Sequence, residues 1–241
     1  MKPSLLGSTK IVVPSIKPKL KVVTVLSTYN GVKGITLESS CRRKVPISVL
    51  GVGIKKFYNM RKLYLFYDFL NEIPQSEENS TVILFLDGTD TLIQSDSDEI
   101  LNRFLSLNTR ILFSSEHGCY PMKYWPWNLN LGNFKPCKGS CSNSRYICDS
   151  LFKKREAGGM DPTNKWLNSG GYIGYVYDIK RMLEIGREIP YDMMTKFPGE
   201  DQGFYTFLLL SGKFDMSIDF QSKIFLSFGL VKDPEEQSPW R

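Results

Sequence analysis

Residues 82–93 constrain the fold of this chain more than any other stretch. Val82, Ile83, Leu84, Phe85 and Leu86 form an unbroken apolar run, the pattern of a strand buried on both faces of a mainly parallel sheet. The run ends in Asp87, Gly88, Thr89 and Asp90. In open α/β sheets ligands bind beyond the carboxyl ends of the strands, so both acids stand where a site is expected. Two carboxylates three residues apart across a tight turn can converge on one hard divalent cation, Mg²⁺ or Mn²⁺, that carries a diphosphate. The plain alternative is an Asp-rich turn after a strand, since Asp and Gly are ordinary turn formers.

Strand and helix signals alternate on either side. Val22 to Ser27 reads as a strand opening into a polar turn, Thr28 to Gly31. Pro46 to Leu50 is a short strand ending at Gly51 and Gly53, a pair that turns the chain or brings backbone close to a phosphate. Lys55 to Leu70 is a predicted helix with Met60, Leu63, Tyr67 and Leu70 on its core stripe. After a polar loop, the central strand follows. Ser95 to Glu99 opens another helix, with hydroxyl caps and first-turn acids. Arg110 to Ser114 is the next strand, closing on Glu116 and His117. This alternation predicts βαβ units and a parallel sheet. Further on, Asn168, Ser169, Gly170 and Gly171 read as a glycine-rich turn leading into an aromatic strand. A helix over Ile179 to Glu188 comes next. A second helix starts around Glu200 and Asp201, with Asp201 expected to point outward while Phe204 and Phe207 pack beneath. Met216 to Asp219 is the last strand.

At 241 residues the chain is long enough for one α/β domain with a substantial core. Its formal charge is +6, but residues 1–21 hold five lysines and no acid, and removing those five leaves +1 for the rest. A nearly neutral body argues against a nucleic-acid partner. No run approaches the ~18 apolar residues of a membrane span. Residues 1–21 are expected to be a basic, flexible leader broken by Pro3, Pro14 and Pro18. They lack the apolar core of a signal peptide. Residues 22–228 form the domain and 229–241 a polar tail. Within the domain, residues 118–162 interrupt the rhythm as an insert rich in aromatics and cysteine. Cys119, Cys137, Cys141 and Cys148 there are read first as disulfide partners and second as free thiols, leaving Cys41 over. No C-x-x-C pair supports zinc.

Taken in order, LFLDGTD, LFSSEHGCYP, WLNSGGYIGY, GEDQGFYTFLLL and SIDFQSKIF resemble the glycosyltransferase domain of procollagen lysyl hydroxylase/glucosyltransferases and related collagen-type hydroxylysine glycosyltransferases. The resemblance spans about residues 22–228. It implies a GT-A fold, one Rossmann-like α/β domain that binds a UDP-sugar with Mn²⁺. On that basis Asp87 and Asp90 are the metal-binding acids, and Thr28 and Lys56 meet the nucleotide, Lys56 opening its helix. Asn168, Gly170 and Gly171 line the sugar side, and Asp201 serves sugar transfer. Enzymes of this kind work in the secretory pathway, in the ER lumen. The chain departs from the pattern at four points. Thr89 stands where the family has a tyrosine against uracil, and Tyr120 replaces a tryptophan on the acceptor side. The acidic run is reduced to Glu200 and Asp201. The family's third metal ligand, a histidine after the last strand, has no counterpart, since the one histidine is His117.

The expected chemistry is transfer of a hexose, glucose or galactose, from a UDP-sugar to a hydroxyl of a protein or glycan acceptor, such as a hydroxylysine-linked sugar or a collagen-like protein. Asp201 or Glu200 would position or activate that hydroxyl. The insert is expected to cover the acceptor side. Two alternatives are a degenerate, non-catalytic GT-A module and a haloacid-dehalogenase-like phosphatase. The second would need its second acid at position 89, which is Thr89.

Overall fold

The computed structural model describes residues 17–27, 34–118, 166–188 and 200–227, with Glu200 described by its backbone alone. Six strands make one sheet: β1 (Lys19–Val25), β2 (Ile47–Leu50), β3 (Thr81–Asp87), β4 (Ile111–Glu116), β5 (Trp166–Tyr175) and β6 (Met216–Ile218). Five helices accompany them: α1 (Ile35–Arg43), α2 (Arg61–Asn71), α3 (Ser97–Ser106), α4 (Val176–Arg187) and α5 (Glu200–Ser211).

The spatial order is β2-β1-β3-β5-β4-β6. β1 runs parallel to β2 and β3, and β4 runs parallel to β6. β5 is inserted antiparallel between β3 and β4. The sheet is therefore mostly parallel, as alternating strands and helices demand, but broken at its centre by a strand that arrives after the 118–162 stretch. A local βαβ reading had no means of seeing that insertion. The reversal has a consequence for function: it brings the first half of β5 to the edge where β1, β3 and β4 end, with Gly171 opposite Leu86 and Asn168 opposite Ser114.

Successive residues of β3 serve opposite faces, which explains its unbroken apolar run. Ile83 and Phe85 join the cluster under α2, α4 and α5, and Val82, Leu84 and Leu86 join the one under α3. Below the functional edge, Tyr172 stacks on Phe85 and Phe113 with ring centroids 4.8 Å apart in each case. Its hydroxyl lies 3.1 Å from that of Tyr205, so the buried phenols satisfy one another.

Three assignments differ from expectation, and one helix was not expected at all. β1 begins at Lys19, so the basic leader does not reach residue 21, and Lys17 already pairs with Asp98 at 2.7 Å. α2 begins at Arg61 rather than Lys55, because residues 51–60 form turns in which Gly51 and Gly53 take φ of 80° and 83°. Asn168 to Gly171 are not a turn but part of β5. α1 carries no apolar stripe; its buried residues are Thr36, Ser39 and Ser40, whose hydroxyls all bond to backbone. The insert's four cysteines lie outside the described residues, and Cys41 is a free, exposed thiol.

Candidate active site

The carboxyl end of β3 meets the start of α2, the start of α5 and the first half of β5. At the centre stands Lys62, in the first turn of α2. Its Nζ donates to Asp87 Oδ1 at 2.8 Å and to Asp201 Oδ2 at 3.2 Å. Side-chain exposure is 11% for Lys62, 29% for Asp87 and 6% for Asp201. Burial opposes the ammonium, but the Asp201 and Asp87 carboxylates outweigh it and hold the Lys62 pKa above the ordinary lysine range. Asp201 therefore does not point outward as expected. α5 is apolar along most of its length and buried from Asp201 to Leu209, so its first-turn acid is carried inside with it and faces a lysine.

The turn after Asp87 is fixed by small residues and hydroxyls. Gly88 leaves no room for a side chain, since a Cβ would overlap Leu26 and come 2.9 Å from Thr24 Oγ1. Thr36 Oγ1 donates to the Asp87 and Thr91 carbonyls at 3.1 and 2.8 Å, and Ser39 Oγ accepts from Ile93 N at 3.0 Å. The polar face of α1 thus clamps both ends of the turn that carries Asp87 and Asp90. Thr89 and Asp90 are exposed on it.

Across from the turn, Gly170 keeps Asp87 open: a Cβ there would lie 3.2 Å from Asp87 Oδ2 and 2.9 Å from Asn168 Oδ1. Asn168 accepts from Gly170 N at 2.8 Å and donates to Glu116 Oε2 at 3.0 Å. Gln202 donates to Glu116 Oε1 at 2.5 Å and accepts from Ser169 N at 3.3 Å. Glu116 at the end of β4 thus sits between two side-chain amides. Burial pushes its pKa up, and the amides of Asn168 and Gln202 and the charge of His117 reverse that only in part. β5 bulges against β4 here, between Phe113 and Ser114, as strands commonly do beside functional sites. Gly171 faces Phe225, whose ring would be 3.0 Å from an added Cβ.

Of the residues expected from the sequence, Asp87, Asp201, Asn168 and Gly170 come together, and Asp90 and Thr89 lie on the adjoining turn. Lys56 is exposed in the turns preceding α2 and does not open that helix. Thr28 and the Glu200 side chain lie outside the described residues. Sequence reasoning assigned no role to Lys62, Glu116 or Gln202. Glu116 was reachable by the rule that found Asp87, an acid at a strand's carboxyl end. Lys62 had no such signal, because the helix expected from Lys55 placed it well inside the element and not in its first turn.

The donor chemistry of this edge suits a hard cation. Asp87 Oδ2 faces the space that Gly170 leaves, and Asp90 is exposed on the turn that follows. Among the described residues no group of three acids, cysteines or histidines converges. A site of one or two carboxylates completed by phosphate oxygens and water is the usual arrangement for Mg²⁺.

A mostly parallel sheet flanked by helices, with acids and glycines gathered at its carboxyl edge, is consistent with a GT-A fold. The family model described as the PLOD GT domain matches residues 16–128. A multifunctional procollagen lysine hydroxylase and glycosyltransferase of Caenorhabditis elegans is 27% identical over 236 residues, covering 91% of this chain and 27% of that protein. A Drosophila melanogaster procollagen-lysine,2-oxoglutarate 5-dioxygenase is 29% identical over 157 residues, 63% of this chain and 17% of its own. The Rattus norvegicus multifunctional procollagen lysine hydroxylase and glycosyltransferase LH3 is 28% identical over 154 residues, 62% and 16% respectively. The chain is thus related to the glycosyltransferase domain of the procollagen lysine hydroxylases, and it spans 16–27% of the length of these relatives.

Proposed function

We propose that this domain transfers a hexose, glucose or galactose, from a UDP-sugar to a hydroxyl of a protein or glycan acceptor, a hydroxylysine-linked sugar or collagen-like chain in the secretory pathway. The observation that carries the reading is the meeting of Asp87, Lys62 and Asp201 at the sheet edge, opposite Gly170 and Asn168. Asp87 and Asp90 would hold Mn²⁺, which when bound supplies positive charge against the diphosphate and the departing UDP.

In the transfer, the bond from the sugar's anomeric carbon to UDP breaks and one to the acceptor oxygen forms, and the acceptor's proton must leave. Asp201 or Glu200 orients that hydroxyl. Asp201 is paired with the Lys62 ammonium at 3.2 Å. Glu116, whose pKa burial pushes up, stands at the end of β4 in the same polar cluster. Asn168 and Gln202 fix both its oxygens in place.

A screen of UDP release from a panel of UDP-sugars, with Mn²⁺ and with hydroxylysine- or galactosyl-bearing acceptors, tests the reading. Acceptor-dependent release from UDP-glucose or UDP-galactose is the expected result. UDP binding without release from any donor would favour a non-catalytic module instead.

A further inference from the structure

Two carboxylates, Asp87 and Asp201, share one buried ammonium, that of Lys62, and Asp90 is exposed on the turn that follows Asp87. Lys62 touches Asp87 on Oδ1, so the oxygen left toward Gly170 is Oδ2. An ion held by Asp87 Oδ2 would therefore share its ligand with a fixed positive charge. Like charges at such range weaken each other's binding, strongly so where water is partly excluded. A diphosphate feels the opposite: the same ammonium attracts it.

We propose that Lys62 is a positioning residue that makes cation and diphosphate binding interdependent: it holds Asp87 and Asp201 together across the cleft, lowers the affinity for a free divalent ion, and raises that for the ion–diphosphate pair. This rests on the donor site proposed above. The domain would then bind Mn²⁺ weakly alone and tightly with UDP. By linkage, Mn²⁺ strengthens UDP binding by the same factor.

The test is calorimetric titration of Mn²⁺ alone, UDP alone, and UDP with saturating Mn²⁺, into the full chain and its Lys62→Met and Lys62→Arg variants. Lys62→Met should bind Mn²⁺ alone more tightly, by about tenfold or more, while losing at least about tenfold in affinity for UDP with Mn²⁺. Lys62→Arg, which keeps the charge, should bind Mn²⁺ alone as the parent does. A purely structural lysine would weaken both ligands or neither, and either pattern overturns the proposal. Lys62→Gln, which keeps N–H donors for the carboxylates, replaces Lys62→Met if that variant does not fold. If neither neutral variant folds, Lys62 is a structural brace and the proposal fails. If the parent chain binds no Mn²⁺ even with UDP, the metal-dependent reading fails first and takes this inference with it.

Discussion

An acid in the first turn of a helix ordinarily contributes ~0.3–1 kcal/mol through the helix dipole, and Asp201 read alone promises no more. Its 3.2 Å contact with Lys62, at 6% side-chain exposure, changes that expectation. Removing one partner of a buried pair costs ~3–5 kcal/mol. Because Asp87 still holds the ammonium, Asp201→Asn should lose less, about 1–3 kcal/mol in denaturant unfolding, along with most sugar transfer. A variant as stable and as active as the parent would reduce Asp201 to a dipole complement. Gly170→Ala should lower donor affinity by about tenfold or more, with only a modest fall in melting temperature, because the methyl fills the space before Asp87 rather than the core. Glu116 supplies a pH signature. Its folded pKa lies above the ordinary 4.5, so its contribution to stability is fully present below that value and is lost as pH rises through the folded one. The melting temperature of Glu116→Gln minus that of the parent should therefore rise with pH across this window. A flat difference would mean that its surroundings do not raise the Glu116 pKa.

α1 marks the limit of periodicity as a guide to elements. Its sequence, Ile35 to Arg43, buries Thr36, Ser39 and Ser40, so a search for apolar stripes passes over it. The helix is nonetheless the clamp on the Asp87–Ile93 turn. Thr36→Val should cost about 1–3 kcal/mol, since it strips a donor from two carbonyls in a packed setting. It should also weaken UDP binding with Mn²⁺ although Thr36 lies behind the turn. Unchanged donor affinity in a destabilised Thr36→Val would show that the turn holds its shape without α1. β3, by contrast, is legible outright, because burial on both faces writes itself as five apolar residues in succession. α3 is equally plain, although its cap is the Asp96 carboxylate, which accepts from Glu99 N at 2.8 Å, and not the hydroxyl expected. The start of α2 and the course of β5 were not legible. Gly51 and Gly53 turn the chain before α2 begins, and Asn168 to Gly171 run within β5, Asn168 paired to Ser114 of β4 and Gly171 to Leu86 of β3.

For the molecule as a whole, the acids at the carboxyl edge were visible in the sequence because their place follows from strand direction alone. Lys62 and Gln202 were not, because their roles exist only once α2, β4 and α5 converge on that edge, and convergence depends on the antiparallel insertion of β5. The sheet order also predicts where stability is most sensitive. At Gly174, a Cβ would lie 2.8 Å from the Arg110 carbonyl oxygen of the neighbouring backbone, so Gly174→Ala should destabilise the fold without touching the site. Asp87 carries the opposite expectation. It ends the central strand, receives Lys62 and faces Gly170, so the account stands or falls on it. The decisive measurement is UDP binding by calorimetry, with saturating Mn²⁺, to the parent chain and to Asp87→Asn, with folding checked by circular dichroism. The expected result is metal-dependent binding in the parent and its loss in a folded Asp87→Asn; equal UDP affinity in both would contradict the donor site proposed for this edge.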